Sequence, residues 1–132
     1  MKVIVDTSIW ALSLRRNRPP DEISQVKALQ ELITDGRVVL LGAIRQEVLS
    51  GVRHPEQFTQ LRDYFHAFPD LDITTADYEL AADFFNTCRR NGIQGSNTDF
   101  LICSVAHNWQ YSILTTDKDF ENFQPYIPVT LY

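Results

Sequence analysis

Four acidic residues, far apart along the chain, occupy positions where catalytic or metal-binding groups are often found. Asp6 and Asp117 each directly follow a short apolar run, Asp99 lies in the first turn of a predicted helix, and Glu47 lies on the apolar stripe of another. Carboxylates held close together repel and raise one another's pKa, so a cluster of them needs a positive charge. No obvious buried Lys or Arg is available, which favours a bound cation.

The predicted site offers oxygen ligands, with no Cys or His in a metal-binding spacing. This set suits Mg²⁺ or Mn²⁺ rather than zinc. Such ions bind phosphate oxygens, and pairs of them about 3.5 to 4 Å apart flank the attacking and leaving oxygens of a phosphodiester. The pattern therefore predicts hydrolysis of a phosphodiester by metal-activated water. Nearby polar side chains are expected to orient ligands and water, namely those of Thr7, Ser8, Asn97 and Thr115.

Each acid also has a purely structural interpretation. Asp6 could cap the helix that follows it, and Asp99 could form a capping box with the serine three positions earlier. Glu47 could face solvent or pair with Arg45, and Asp117 could be a turn residue. These interpretations become less attractive when the four acids are considered together, because their mutual repulsion would then be uncompensated.

The order of the predicted elements explains how the acids could meet. Strands are predicted at residues 3–5, 38–41, 71–73, 112–115 and 126–131, and helices at 9–14, 22–34, 42–52, 56–67, 75–90 and 98–109. This alternation predicts an α/β fold with a mostly parallel sheet of four to five strands, covered by helices on both faces. The carboxyl ends of parallel strands share one edge, so the four acids should lie along it.

The charge balance limits the classes of nucleic-acid-binding protein that fit. The chain has 12 Lys and Arg against 17 Asp and Glu, a net charge of −5. This argues against binding nucleic acid by bulk electrostatics, but not against an enzyme whose metal ions reverse the local charge. Two arginine clusters are interpreted as solvated surface: Arg15, Arg16 and Arg18, and the adjacent Arg89 and Arg90.

Length, cysteine use and hydropathy indicate one domain in a reducing compartment. A chain of 132 residues that is 44% hydrophobic is long enough for one real core. Cys88 and Cys103 have no CxxC spacing and are expected to be buried thiols. No apolar run is long enough to span a bilayer, and Asp6 interrupts the only N-terminal stretch resembling a signal peptide, so we expect a cytoplasmic protein.

Four segments, taken in order, give the chain a specific resemblance. They are VIVDTSIW at the start, a Glu in the helix after the second strand, TDFLICSVA in the buried helix, and ILTTDKDF near the end. Together they resemble the PIN-domain ribonucleases, in particular the VapC toxins of type II toxin–antitoxin pairs, over essentially all of residues 1–132. The resemblance implies a single PIN domain with a three-layer α/β/α sandwich and a Mg²⁺- or Mn²⁺-dependent endoribonuclease activity.

The resemblance also implies roles for individual residues. The metal-binding and catalytic acids of the family match Asp6, Glu47, Asp99 and Asp117. The hydroxyl after the strand acid matches Thr7 or Ser8, and the threonine two before the last acid matches Thr115. Asp119 is a further candidate for a second, weaker ion. Cys103 and Ser104 replace the small alanines of many relatives, a change that affects packing more than chemistry.

Partners are implied by the resemblance rather than by composition. The family pattern implies an RNA substrate, a homodimer, and a VapB-like antitoxin whose C-terminal segment lies across the acidic groove with a basic side chain near the metal. Residues 15–20 and 93–97 flank the predicted edge and are expected to contact substrate. The candidate substrate-binding side chains are Arg15, Arg16, Arg18 and Lys118.

Three other classes of protein remain open at this point. A PIN-like module that binds RNA or protein without cutting predicts a more positive surface than this one. A phosphatase of the haloacid dehalogenase type needs a second Asp two positions after the first, where this chain has Ser8. A phospho-receiver domain needs a Lys facing its acceptor Asp, whereas Lys118 sits beside an acid.

Overall fold

The computed structural model describes residues 1–15 and 23–132. Within these ranges it has three strands and seven helices. In chain order they are β1 (Val3–Val5), α1 (Thr7–Ser13), α2 (Ile23–Thr34), β2 (Val38–Val39), α3 (Gly42–Ser50), α4 (Pro55–Phe65), α5 (Thr75–Arg90), α6 (Asn97–Trp109), β3 (Ser112–Leu114) and α7 (Asp119–Phe123). The predicted helices are all present, with ends that differ by a few residues.

The sheet is parallel, with β1 between β2 and β3. All three residues of β1 are 0% exposed, as expected for a strand covered on both faces. Val3 lies opposite Val38 on one side and Ser112 on the other. The carboxyl ends of β1 and β3 are therefore neighbours, and the residues that follow them emerge at the same edge.

The two outer segments predicted as strands, residues 71–73 and 126–131, do not form strands, and each side of the sheet has one parallel bridge instead. Leu40 pairs with Asp70 at one side of the sheet, and Ile113 pairs with Leu131 at the other. Pro69 precedes the first of these segments and Pro128 lies within the second. Proline lacks the N–H that a strand ladder requires, which keeps both pairings short.

The core is built around α6 and the sheet. As its nearly all-apolar pattern predicts, α6 is buried along most of its length, and it packs extensively on α5. Four phenylalanines with almost no solvent exposure fill the interior, namely Phe65, Phe100, Phe120 and Phe123. Cys88 and Cys103 are free buried thiols, as predicted.

Local signals fix where the long helices begin and end. A capping box begins α5: the Asp77 N–H donates to the Thr74 hydroxyl, and the Asp77 carboxylate accepts from the Thr74 N–H. Gly36, two residues after the end of α2, has φ +67°, a conformation that favours glycine. No helix in the described part of the chain combines the length and apolarity that crossing a membrane requires.

Candidate metal centre

Asp6 stands between β1 and α1, at the carboxyl edge of the sheet. Its side chain is almost buried, with the residue 5% exposed, and makes no capping hydrogen bond to α1. Instead its Oδ2 accepts hydrogen bonds from Ser8 Oγ at 3.0 Å and Thr115 Oγ1 at 2.8 Å. The capping interpretation of its side chain is therefore wrong, and the carboxylate is held by two hydroxyls from different elements.

The same two hydroxyls connect Asp6 to the chain that follows β3. Thr115 Oγ1 accepts the Asp117 N–H at 2.9 Å, and Ser8 Oγ accepts the Thr116 N–H at 3.1 Å. Each hydroxyl thus donates its proton to Asp6 and accepts a backbone N–H. This arrangement fixes the Asp6 carboxylate relative to the backbone of Asp117.

Three further carboxylates come together at this edge. Asp99, Asp117 and Asp119 each offer an oxygen, and these oxygens all lie within 4.8 Å of one another. Asp119 is placed by its N–H, which donates to Asp117 Oδ1 at 2.9 Å. In residues 1–15 and 23–132 no Lys or Arg forms a salt bridge with any of the three.

This donor set fits a hard divalent cation. Mg²⁺ lies about 2.1 Å from its ligand oxygens, so two ligands of one ion can be at most about 4.2 Å apart. The three oxygens lie within 4.8 Å of one another, which is close to this spacing. All the donors are carboxylates, which suits Mg²⁺ or Mn²⁺.

Asp99 combines a structural role with its place in the cluster. Its Oδ2 accepts the Ser96 N–H at 3.1 Å, and its own N–H donates to Ser96 Oγ at 3.0 Å. The capping box considered from the sequence is therefore present. Because a carboxylate has about four lone-pair sites, this one bond leaves it able to bind a ligand. The capping box holds Asp99 at the start of α6.

Burial and mutual repulsion perturb two of these acids. Burial raises the pKa of Asp6, and the Asp117 carboxylate adds to the rise, against hydrogen bonds from Thr115, Ser8 and the Thr7 backbone. Burial also raises the pKa of Asp99, with smaller contributions from Asp6 and Asp117, against its bonds to Ser96. Folding therefore places negative charge where it is costly, and a cation would relieve that cost.

Cys103 lies one helical turn after Asp99 and stays a neutral thiol. Burial raises its pKa far above the ordinary value, and the Asp99 carboxylate adds to the rise. The side chain is 0% exposed. These observations agree with the expectation that this residue affects packing more than chemistry.

Glu47 lies outside the tight cluster. It is exposed on α3, so its predicted place on the buried stripe with Ile44 and Val48 is wrong. A charged side chain at the edge of that stripe can turn to water, and Glu47 does so while its Oε2 accepts from Thr7 Oγ1 at 2.9 Å. Thr7 is next to Asp6, so Glu47 belongs to the same edge.

Arg45 has a partner other than Glu47. Its Nε lies 2.9 Å from Asp70 Oδ1, and its guanidinium also donates to the backbone carbonyls of Phe65 and Phe68. The alternative pairing with Glu47 is therefore wrong. Sequence reasoning missed the Arg45–Asp70 pair, because nothing in the local pattern brings residues 25 positions apart together.

The remaining predicted residues are distributed around the edge. Arg15 lies with Thr7 and Glu47 in an open groove of about 770 Å³, which Arg53 and His54 also line. The sequence predicts no role for Arg53 and His54, which fall between the predicted helices 42–52 and 56–67. Lys118 is exposed between two acids of the cluster. Arg16 and Arg18 lie outside the described residues.

Asn97, another predicted polar residue of the site, lines a separate groove. It is the first residue of α6 and lines a groove between α5 and α6. Its role of orienting ligands and water at the metal site stays a prediction. The direction in which a side chain at the start of a helix points depends on the rotation of the helix about its axis. The sequence spacing does not determine this rotation.

Comparison with known proteins identifies the family. A sequence profile of the PIN domain matches residues 3–124. The chain belongs to the PIN-domain family. A comparison with curated proteins finds no match to this PIN domain.

Solved structures share the fold of this PIN domain. FitAcB from Neisseria gonorrhoeae has a TM-score of 0.76 and 15% identity, over 98% of this chain and 96% of that one. VapBC2 from Rickettsia felis, bound to a DNA fragment from their promoter, has a TM-score of 0.76 and 18% identity, over 100% and 98%. The predicted PIN-like α/β fold class is therefore confirmed.

Proposed function

We propose that this PIN domain is a metal-dependent endoribonuclease that acts in the cytoplasm as the toxin of a toxin–antitoxin pair. The observation that carries the proposal is the meeting of Asp99, Asp117 and Asp119 beside the buried Asp6, while no Lys or Arg in the described part of the chain forms a salt bridge with any of them. PIN domains are typically nucleases, and membership of the family supports hydrolysis of phosphodiester bonds.

The proposed cofactor is Mg²⁺ or Mn²⁺, held by the cluster acids. Asp99, Asp117 and Asp119 would hold the ion, with Asp6 and Glu47 adding negative charge beside them. Such an ion supplies an activated water and stabilises charge on phosphate oxygens. Ser8 and Thr115 hold Asp6 in one orientation, so the carboxylate needs no reorganisation when the cation binds.

The proposed RNA path follows the open groove that includes Glu47. Arg15 and Arg53 line this groove and place positive charge next to the acidic edge. A phosphate backbone can approach between them, although the net charge of the chain is −5. The positive side chains would position the RNA while the acids perform the chemistry.

The toxin assignment also proposes partners. Beside the sequence motifs, the likeness to FitAcB and VapBC2 supports a VapB-like antitoxin that covers the acidic groove. A homodimer of the chain is proposed from the sequence motifs alone. An antitoxin of this kind would place a basic side chain among carboxylates whose pKa values are already raised. Such pairing would relieve the same repulsion that a metal ion relieves.

A cleavage assay on purified protein tests the proposal. End-labelled RNA is incubated with wild-type protein, with Asp99→Asn and with Asp117→Asn, in Mg²⁺ or EDTA. We expect cleavage that EDTA abolishes and that each variant reduces by more than about 100-fold. The matched control is Asp63→Asn, which alters an exposed acid paired with Arg62 on α4 and should leave the rate unchanged. Circular dichroism verifies that the variants fold.

Sequencing the RNA ends after expression of the protein alone then identifies the substrate. The proposal is contradicted if wild-type protein binds RNA but cuts none of it at millimolar Mg²⁺ or Mn²⁺. That outcome would favour the alternative of a PIN-like module that binds without cutting.

A further inference from the structure

A second groove lies between α5 and α6. Its volume is about 460 Å³, and Asn97 and Thr98, the two residues that precede Asp99, are among those that line it. Tyr78 and Arg89 on α5 also line it. We call it the α5–α6 groove. Because Thr98 directly precedes Asp99 in α6, the groove and the cluster share the first turn of this helix.

One face of α5 supplies an aromatic side and a cationic side to this groove. Tyr78, Phe85 and Arg89 all line it and are spaced 7 and 4 residues apart, which places them on one face of a helix. Tyr78 is 57% exposed, so a large aromatic ring is available at the surface. Tyr78 and Arg89 are separated by about 16 Å along the helix axis, which is longer than one nucleotide.

Arg89 is held in place by neutral groups. Its Nη2 donates to Asn86 Oδ1 at 2.7 Å, and its guanidinium carbon lies 5.4 Å from the centre of the Phe85 ring. Within the described ranges no carboxylate forms a salt bridge with it, in contrast to Arg45 and Arg62. The guanidinium is therefore oriented, with an uncompensated charge and free donors that suit a phosphate.

We propose that the α5–α6 groove binds the single-stranded RNA segment that flanks the cleaved bond. Arg89 contacts a backbone phosphate, and Tyr78 stacks on a base. A positive group combined with exposed aromatic rings is the usual arrangement for binding single strands. The amide of Asn97, at the start of α6, can hydrogen-bond to a base edge. This inference rests on the proposed nuclease function for the identity of the ligand.

Binding of uncut RNA tests the groove separately from catalysis. A fluorescent single-stranded RNA is titrated in EDTA, so that no cleavage occurs, with anisotropy as the readout. We expect Arg89→Gln to weaken binding about tenfold at low salt and to reduce the slope of log affinity against log salt by about 0.7, the value of one phosphate contact. Tyr78→Ala should weaken binding by a similar factor through lost stacking.

Arg90→Gln is the matched control. Arg90 is the next residue of α5, is also exposed, donates to Thr87 Oγ1, and does not line the groove. The two glutamine variants change the net charge equally, so only a specific contact distinguishes them. We expect Arg90→Gln to bind RNA with wild-type affinity and salt dependence.

Several outcomes would overturn the inference. They are equal losses in the two glutamine variants, no loss in Arg89→Gln, or no binding of RNA by the wild-type protein. A change of oligomeric state in Arg89→Gln, measured by sedimentation, without a change in RNA affinity would show that the groove joins two copies of the chain. If wild-type protein cuts no RNA but Arg89→Gln alone loses affinity, the groove assignment holds and the nuclease proposal fails.

Discussion

Replacing Thr115 with valine tests the connection between Asp6 and Asp117. The Thr115 hydroxyl donates to Asp6 Oδ2 at 2.8 Å and accepts the Asp117 N–H at 2.9 Å. Valine has nearly the same shape, so Thr115→Val removes both hydrogen bonds with little change in packing. A bond to a charged group contributes about 1.5–3 kcal/mol. Because Thr115 is only half-buried, hydrogen bonds to water compensate for part of the lost stabilisation. We therefore expect the free energy of unfolding to fall by about 1–2 kcal/mol.

The effect on activity should be larger than the effect on stability. Loss of a group that orients a metal-binding side chain costs about 10–100-fold in metal affinity or rate. The hydrogen bond from Thr115 also holds down the pKa of Asp6, so its removal raises that pKa further. Since Asp6 must be ionised to attract a cation, the rise of activity with pH should shift to higher pH in Thr115→Val.

These effects are measured as the rate of RNA cleavage by Thr115→Val and by wild type over a range of Mg²⁺ concentrations and pH values. Thr115→Ser keeps the hydroxyl and is the control, with a rate expected within a few-fold of wild type. The reasoning is refuted if Thr115→Val cleaves at the wild-type rate with an unchanged pH profile. It is refuted equally if Thr115→Ser loses as much activity as Thr115→Val.

Three further predictions follow from the same geometry. Ser96→Ala and Thr74→Ala should each lower the free energy of unfolding in denaturant by about 1 kcal/mol, because each removes a capping hydroxyl. Only Ser96→Ala, which frees Asp99, should slow RNA cleavage. Equal cleavage rates in the two variants would contradict the dual role of Asp99. Burial raises the folded-state pKa of Asp6 above its ordinary value of 3.8, so the metal-free stability of the wild type should fall as pH rises from that ordinary value through the raised one. The melting temperature of Asp6→Asn minus that of wild type should therefore be larger at pH 7 than at pH 4. A difference that stays constant with pH would contradict this prediction. Mg²⁺ at about 100 times its Kd should stabilise wild-type protein by about 2.7 kcal/mol, and Asp119→Asn should reduce the shift in calorimetry, whereas an identical shift would exclude Asp119 as a ligand.

The meeting of Asp6 and Asp117 could be predicted because topology alone determines it. Each follows a buried apolar strand, and parallel strands end at one edge of the sheet. The hydroxyls of Ser8 and Thr115 were also predictable, since they lie within two residues of these acids. The place of Asp99 at the edge was predictable because it lies at the start of a buried helix. Both of its roles, in the capping box and in the acidic cluster, were considered from the sequence.

Other features depend on tertiary packing that no local pattern specifies. The exposure of Glu47 depends on how α3 rotates against the sheet, and the pairing of Arg45 with Asp70 depends on where α4 ends. The α5–α6 groove could not be predicted, because Arg89 and Asn97 lie on two helices whose relative position is set by side-chain packing. For that reason Arg89 was interpreted from the sequence as ordinary solvated surface.

Locating a bound metal ion tests the central claim most directly. Crystals grown with Mn²⁺ give an anomalous signal that shows the ion's position independently of activity. We predict a peak within coordination distance of carboxylate oxygens of Asp99 and Asp117, which Asp99→Asn abolishes. An active protein whose Mn²⁺ binds elsewhere, with these carboxylates free of metal, would contradict the account.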